Sequence, residues 1–93
     1  MPYIKQEQRP HFDEAIEDII KKLVVRDDSI KTIIDPGELN YVISSVLWRL
    51  WDIKKSYANG NMLVGVLECV KQEFYRKRLA NYEDLKEKEN GSL

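Results

Sequence analysis

An all-α chain of three main helices, in a small bundle with an ordered loop between helices one and two, is what the sequence predicts. Three observations carry that prediction. Apolar residues recur at the 3.6-residue period in three separate stretches. Turn-forming groups, Asp27-Asp28-Ser29 and Asn59-Gly60-Asn61, fall between those stretches. The one candidate strand, Ile30–Ile34, has no obvious partner.

The first helix is expected from about Pro10 to Val25. Phe12, Ala15, Ile16, Ile19, Ile20 and Leu23 fall on one stripe, and Asp13, Glu14, Glu17, Asp18, Lys21 and Lys22 on the other face. Acidic residues lead and basic residues follow, which complements the helix dipole, and Pro10 suits the first turn. From Arg26 to Ile34 the chain reads as an ordered loop pinned by its isoleucines.

The second helix opens at Asp35-Pro36-Gly37-Glu38. Aspartate caps the free amides, proline occupies a position whose N–H would be orphaned, and glutamate three residues on can reach back. Leu39, Val42, Ile43, Val46, Leu47 and Leu50 form its core stripe. Tyr41 and Trp48 lie on roughly the opposite side, with Trp51 on a flank.

The helix ends over Asp52–Ala58, and Asn59 is the expected cap of the third. Leu63, Val66, Leu67, Val70 and Phe74 make one stripe there. Treated as an unbroken helix, the chain carries Val64, Glu68, Tyr75, Leu79 and Tyr82 on a second face more than about 100° away. Gly65 inside the helix implies close backbone packing, and Cys69, between Val66 and Val70, reads as a small buried hydrophobe. The segment 83–93 is charged and expected to fray, so 1–93 is read as a single helical domain.

Several strings resemble a known family: Met1-Pro2-Tyr3-Ile4, Gly37-Glu38-Leu39-Asn40-Tyr41-Val42-Ile43-Ser44, and Gly65-Val66-Leu67-Glu68-Cys69-Val70-Lys71. Glu73-Phe74-Tyr75-Arg76 and Tyr82-Glu83-Asp84 continue the likeness to Gly91. The family comprises roughly 90-residue prokaryotic and phage proteins and is a domain of unknown function. The resemblance spans nearly the whole chain, except the loop 26–35 and the turn near Asn59. It implies a genuine folded unit and brings no activity with it.

Composition narrows the function classes. Of 93 residues, 43% are hydrophobic and 33% charged, the balance of an ordinary globular chain. No apolar run approaches a membrane span, and the start lacks a signal-peptide profile, so a cytoplasmic protein is expected. Fifteen Lys and Arg against sixteen Asp and Glu give a net charge of −1, so no global field points to nucleic acid. The single Cys69 makes no internal disulfide, and no Cys/His cluster suggests a metal.

Catalytic patterns are weak. Glu68 and Glu73, five residues apart, are separated by about 140° on a helix and do not chelate one ion together. Glu14, Glu17 and Asp18 sit opposite the apolar stripe, as a solvated face does. His11 has no nucleophile pattern beside it and reads as a surface residue. No cofactor, metal or catalytic residue is assigned, and an enzyme is expected only through a site shared between subunits.

The aromatics on the second faces say more. Tyr41, Trp48, Trp51, Tyr75, Leu79 and Tyr82 exceed what one small core needs, and Tyr and Trp are enriched where protein surfaces meet. The expectation is a non-enzymatic interaction protein that self-associates, as a dimer, through helices two and three. The competing intramolecular reading has these aromatics wrap the first eight residues or the Ile30–Ile34 loop. The alternative function is a nucleic-acid adaptor using Lys71, Arg76, Lys77 and Arg78 around Tyr75.

Overall fold

The computed structural model describes residues 3–26 and 32–92, and the chain is all-α. It divides into two compact units, Met1–Leu50 and Trp51–Leu93.

In the first unit a short turn, Gln6–Gln8, is closed by Gln8, whose N–H donates to the Lys5 carbonyl at 3.0 Å. The Gln8 side-chain oxygen accepts the Lys5 N–H at 3.1 Å. Helix α1, Pro10–Leu23, begins on its proline and carries Lys21 and Lys22 in its last turn, as the dipole argument requires. It stops two residues short of the expected Val25. Val24 is already extended, with φ −95° and ψ 119°, and the β-branched pair Val24-Val25 favours that conformation.

The loop read from sequence is a hairpin in the structure. Strand β1, Val24–Arg26, pairs antiparallel with β2, Thr32–Ile34, in the register Val24 to Ile34, Val25 to Ile33 and Arg26 to Thr32. The partner strand was hidden in residues assigned to the end of the first helix. Asp27-Asp28-Ser29 and Ile30 lie outside the described residues.

Helix α2, Pro36–Ile53, starts as its sequence indicates. Asp35 Oδ1 accepts the Gly37 N–H at 2.9 Å, and the Asp35 carbonyl takes the Leu39 N–H at 3.1 Å.

The second unit opens in the last turn of α2. After the break at residues 54–56, helix α3 runs Tyr57–Phe74. Its cap is Ser56, not Asn59: Ser56 Oγ accepts the Asn59 N–H at 3.1 Å. Asn59 instead turns its amide back to donate to the Lys54 carbonyl at 2.8 Å, satisfying the end of the preceding segment. Asn59-Gly60-Asn61 is therefore the first turn of a helix.

Tyr75–Leu79 forms a π turn, in which the Ala80 N–H reaches back five residues to the Tyr75 carbonyl. Helix α4, Ala80–Asn90, continues directly from it. The charged segment from Glu83, expected to fray, is helical to Asn90, and Gly91 ends it at φ +88°. Among the described residues no helix is long and apolar enough to cross a membrane.

Burial departs most from expectation. Leu23, 7% exposed at the end of α1, is the one buried apolar side chain among the described residues. Phe12, Ile16 and Ile20, expected as core, are about half exposed on α1. On α2, Leu39, Ile43, Val46 and Leu50 are exposed as well, and only Val42 and Leu47 of that stripe are half-buried. Cys69 is exposed, about 100° round the helix from Val70, which is itself 53% exposed. Gly65 has no atom within 4 Å of the place a Cβ would occupy, so no close packing within the chain explains it.

Candidate association surfaces

The aromatic face of α2 has a definite shape. Tyr41 and Trp48 stand seven residues apart, two turns along one side of the helix, with Ser44 and Ser45 between them. The small serines leave a notch of about 310 Å³ whose walls are the two rings, with Arg49 at its edge. Ser44 Oγ is turned toward Asn40 Oδ1 at 3.2 Å. Trp48 is 65% exposed and Tyr41 69% exposed among the described residues.

Tyr41 also borders a larger cleft of about 440 Å³, lined by Ile19 and Leu23 of α1 and by Gly37 and Val42 of α2. Lys22, Asp35 and Glu38 line it too. Nothing in the sequence pointed to this cleft, because it depends on α1 and the start of α2 being brought together.

The second unit begins at Trp51. Its ring lies over Gly60, where an added Cβ would come within 3.3 Å of it. Glycine at 60 thus admits the indole against the start of α3, and Trp51 is the least exposed of the six surface residues singled out from sequence.

The π turn changes the geometry of the remaining three. It places one extra residue in a turn, so everything after it is rotated by about 100° relative to an unbroken α-helix. Tyr75 precedes the shift and keeps its position. Tyr82, assigned by regular spacing to the second face, rotates onto the stripe of Leu63, Val70 and Phe74; Leu85 moves from that stripe to its edge, in line with Val66, and Leu79 falls on the flank. Their rings and side chains are 43% to 62% exposed from Phe74 to Leu85. The Tyr82 ring carries the Lys86 ammonium 5.6 Å from its centroid. Sequence reasoning also passed over Ile53 and Tyr57, which flank the α2–α3 break and are 79% and 92% exposed.

The basic group is partly neutralised by its own helix. Lys71 pairs with Glu68 at 3.5 Å and Arg76 with Glu73 at 3.0 Å. Lys77 and Arg78 form the cationic surplus. Asn81 donates to the Lys77 carbonyl at 2.9 Å, which helps fill the acceptors loosened by the π turn.

The Gln72 amide, donating at 3.1 Å, and the neighbouring Lys71 ammonium hold the Glu68 carboxyl below the usual carboxylate range. Such a group stays ionised at neutral pH and is poorly suited to donate a proton. His11 is exposed, with its ring edge-on to Phe12 at 4.8 Å. Among the described residues no group of three His, Cys, Asp or Glu side chains is placed to hold a metal ion.

Residues 1–93 match the model of a family described as a domain of unknown function, DUF6899, and the chain belongs to that family. No curated protein and no solved structure matches it.

Proposed function

We propose that this DUF6899 chain is a non-enzymatic helical protein that works by self-association, as a dimer, through the aromatic and apolar faces of α2 and of α3–α4. The observation that carries the reading is α2 itself, which is apolar on both sides with both sides exposed. An apolar helix face is ordinarily covered by a neighbour, and α2 has two such faces.

The area involved is large. Four large apolar side chains of α1, eight of α2 and eleven from Tyr57 to Leu85 are each at least 37% exposed. At about 80 Å² apiece they amount to roughly 1,800 Å² per chain. A standard interface needs about 800 Å² per partner, and exposed apolar patches on stable monomers seldom exceed a few hundred. A second copy supplies a face of the same composition and satisfies the arithmetic.

Light-scattering mass after size exclusion, at low and high salt, tests the proposal. The expected result is a dimer or larger whose mass survives high salt, and a Trp48→Asp variant that is a helical monomer. A wild-type monomer across the concentration range overturns it. So does a Trp48→Asp variant that unfolds outright, since the indole would then belong to the chain's own core. Salt-sensitive binding of DNA or RNA by the wild type, lost on charge reversal at Arg76 and Arg78, would favour the adaptor reading instead.

A further inference from the structure

The C-terminal helix carries information about how two copies would meet. Three features coincide on it. The π turn brings Tyr82 into line with Leu63, Val70 and Phe74 and leaves Leu85 at the edge, in line with Val66, so one apolar stripe runs through both α3 and α4. On either side of Ala80 the charge is unequal. Between residues 68 and 78, Lys71, Arg76, Lys77 and Arg78 outnumber Glu68 and Glu73 by two. Between residues 83 and 89, Glu83, Asp84, Glu87 and Glu89 outnumber Lys86 and Lys88 by two.

Part of this charge is settled locally. Glu68–Lys71, Glu73–Arg76 and Lys86–Glu89 are ion pairs within the helix, at 3.5, 3.0 and 3.1 Å. What remains is a positive surplus at Lys77 and Arg78 and a negative surplus beyond Glu83. The two surpluses are equal and opposite, and they lie on either side of Ala80.

We infer that the occupant of this stripe is the same helix of a second copy, running antiparallel, with the two-fold axis passing near Ala80. In that arrangement the 68–78 segment of each chain faces the 83–89 segment of the other, and the surpluses meet twice. A parallel, in-register pair would set positive against positive and negative against negative. The apolar stripe supplies affinity and the charges select orientation, which is their usual division of labour at interfaces. This inference rests on the self-association proposed above and adds its geometry.

The test uses one variant with inverted surpluses, Lys77→Glu, Arg78→Glu, Glu83→Lys and Glu87→Lys, mixed in equal amounts with wild type and read by native mass spectrometry. All four positions are exposed, and circular dichroism checks that the variant keeps wild-type helicity. Antiparallel pairing lets the variant dimerise with itself and opposes pairing with wild type. The expected heterodimer share at low salt is therefore about fivefold below the statistical half, returning toward it at high salt.

Heterodimers at or above the statistical half at low salt overturn the antiparallel arrangement while leaving self-association intact, because a parallel pair would favour the mixed species. A wild type that is monomeric in the same spectra removes the self-association itself. A variant that loses helicity is replaced by the two-site inversion Arg78→Glu with Glu83→Lys, for which the same depletion is required.

Discussion

Helices α1 and α2 use the same aliphatic vocabulary to opposite ends. On α1 the apolar residues keep to one stripe, and the far side runs Asp13, Glu14, Glu17, Asp18, Lys21, Lys22. That far side is unambiguously the wet one. On α2 the stripe of Leu39, Ile43, Val46 and Leu50 is answered across the helix by Tyr41 and Trp48, and the wet side shrinks to a strip of Glu38, Ser45, Arg49 and Asp52. One-sided amphipathicity asks for a single neighbour; two-sided apolarity asks for neighbours on both flanks.

The largest effect should come from spoiling the second side of α2. Trp48→Asp should weaken association at least tenfold, measured by dilution in light scattering. Glu17→Lys, on the wet side of α1, should leave it within about twofold. Equal losses from both would erase the distinction between the helices.

Next in size is Leu23→Ala. This is the place where α1 gives way to the hairpin, and its side chain is the one buried apolar group described. The cost should be about 2 kcal/mol in urea melts, below the upper range for core leucines because the site has few covering neighbours. Asp35→Ala removes the cap that starts α2 and should cost about 1 kcal/mol, whatever the helix faces.

Two glycines extend the comparison to α3. Gly60→Ala pushes a methyl to within 3.3 Å of the Trp51 ring, which offsets the helical gain and should leave stability within about 0.5 kcal/mol. Gly65→Ala meets open space and should stabilise the helix by about 1 kcal/mol. If Gly65→Ala instead destabilises the associated form, another backbone approaches α3 there, and α3 is two-sided in the way α2 is. Thermal melts at two protein concentrations separate the cases.

These particulars show what a sequence discloses. The Asp35-Pro36 start of α2 was legible because capping is local chemistry among adjacent residues, and the helical fold was legible because periodicity survives without tertiary detail. Ser56 was overlooked because Asn59-Gly60 has the composition of a turn, and only the Asn59 amide reaching back to Lys54 shows that it is not one. The hairpin was missed because Val24 and Val25 fit the end of a helix as well as a strand. The π turn leaves no periodic trace of its own, so Tyr82 was placed about 100° from where it lies. The aromatic residues on α2 could be read as surplus to a core; the notch between them could not, since it is made by the serines' smallness and the rings' orientation together.

Tyr41 walls both the notch on α2 and the cleft beside α1. One ring thus takes part in two depressions, and its side chain holds one rotamer at a time. A molecule that seats in the cleft by displacing that ring reshapes the notch, and a partner that grips the ring at the notch alters the cleft. Thermodynamic reciprocity then requires each to change the other's affinity by the same factor. In such a protein, a small apolar compound bound beside α1 would act as an effector of assembly through the one ring that the two depressions share.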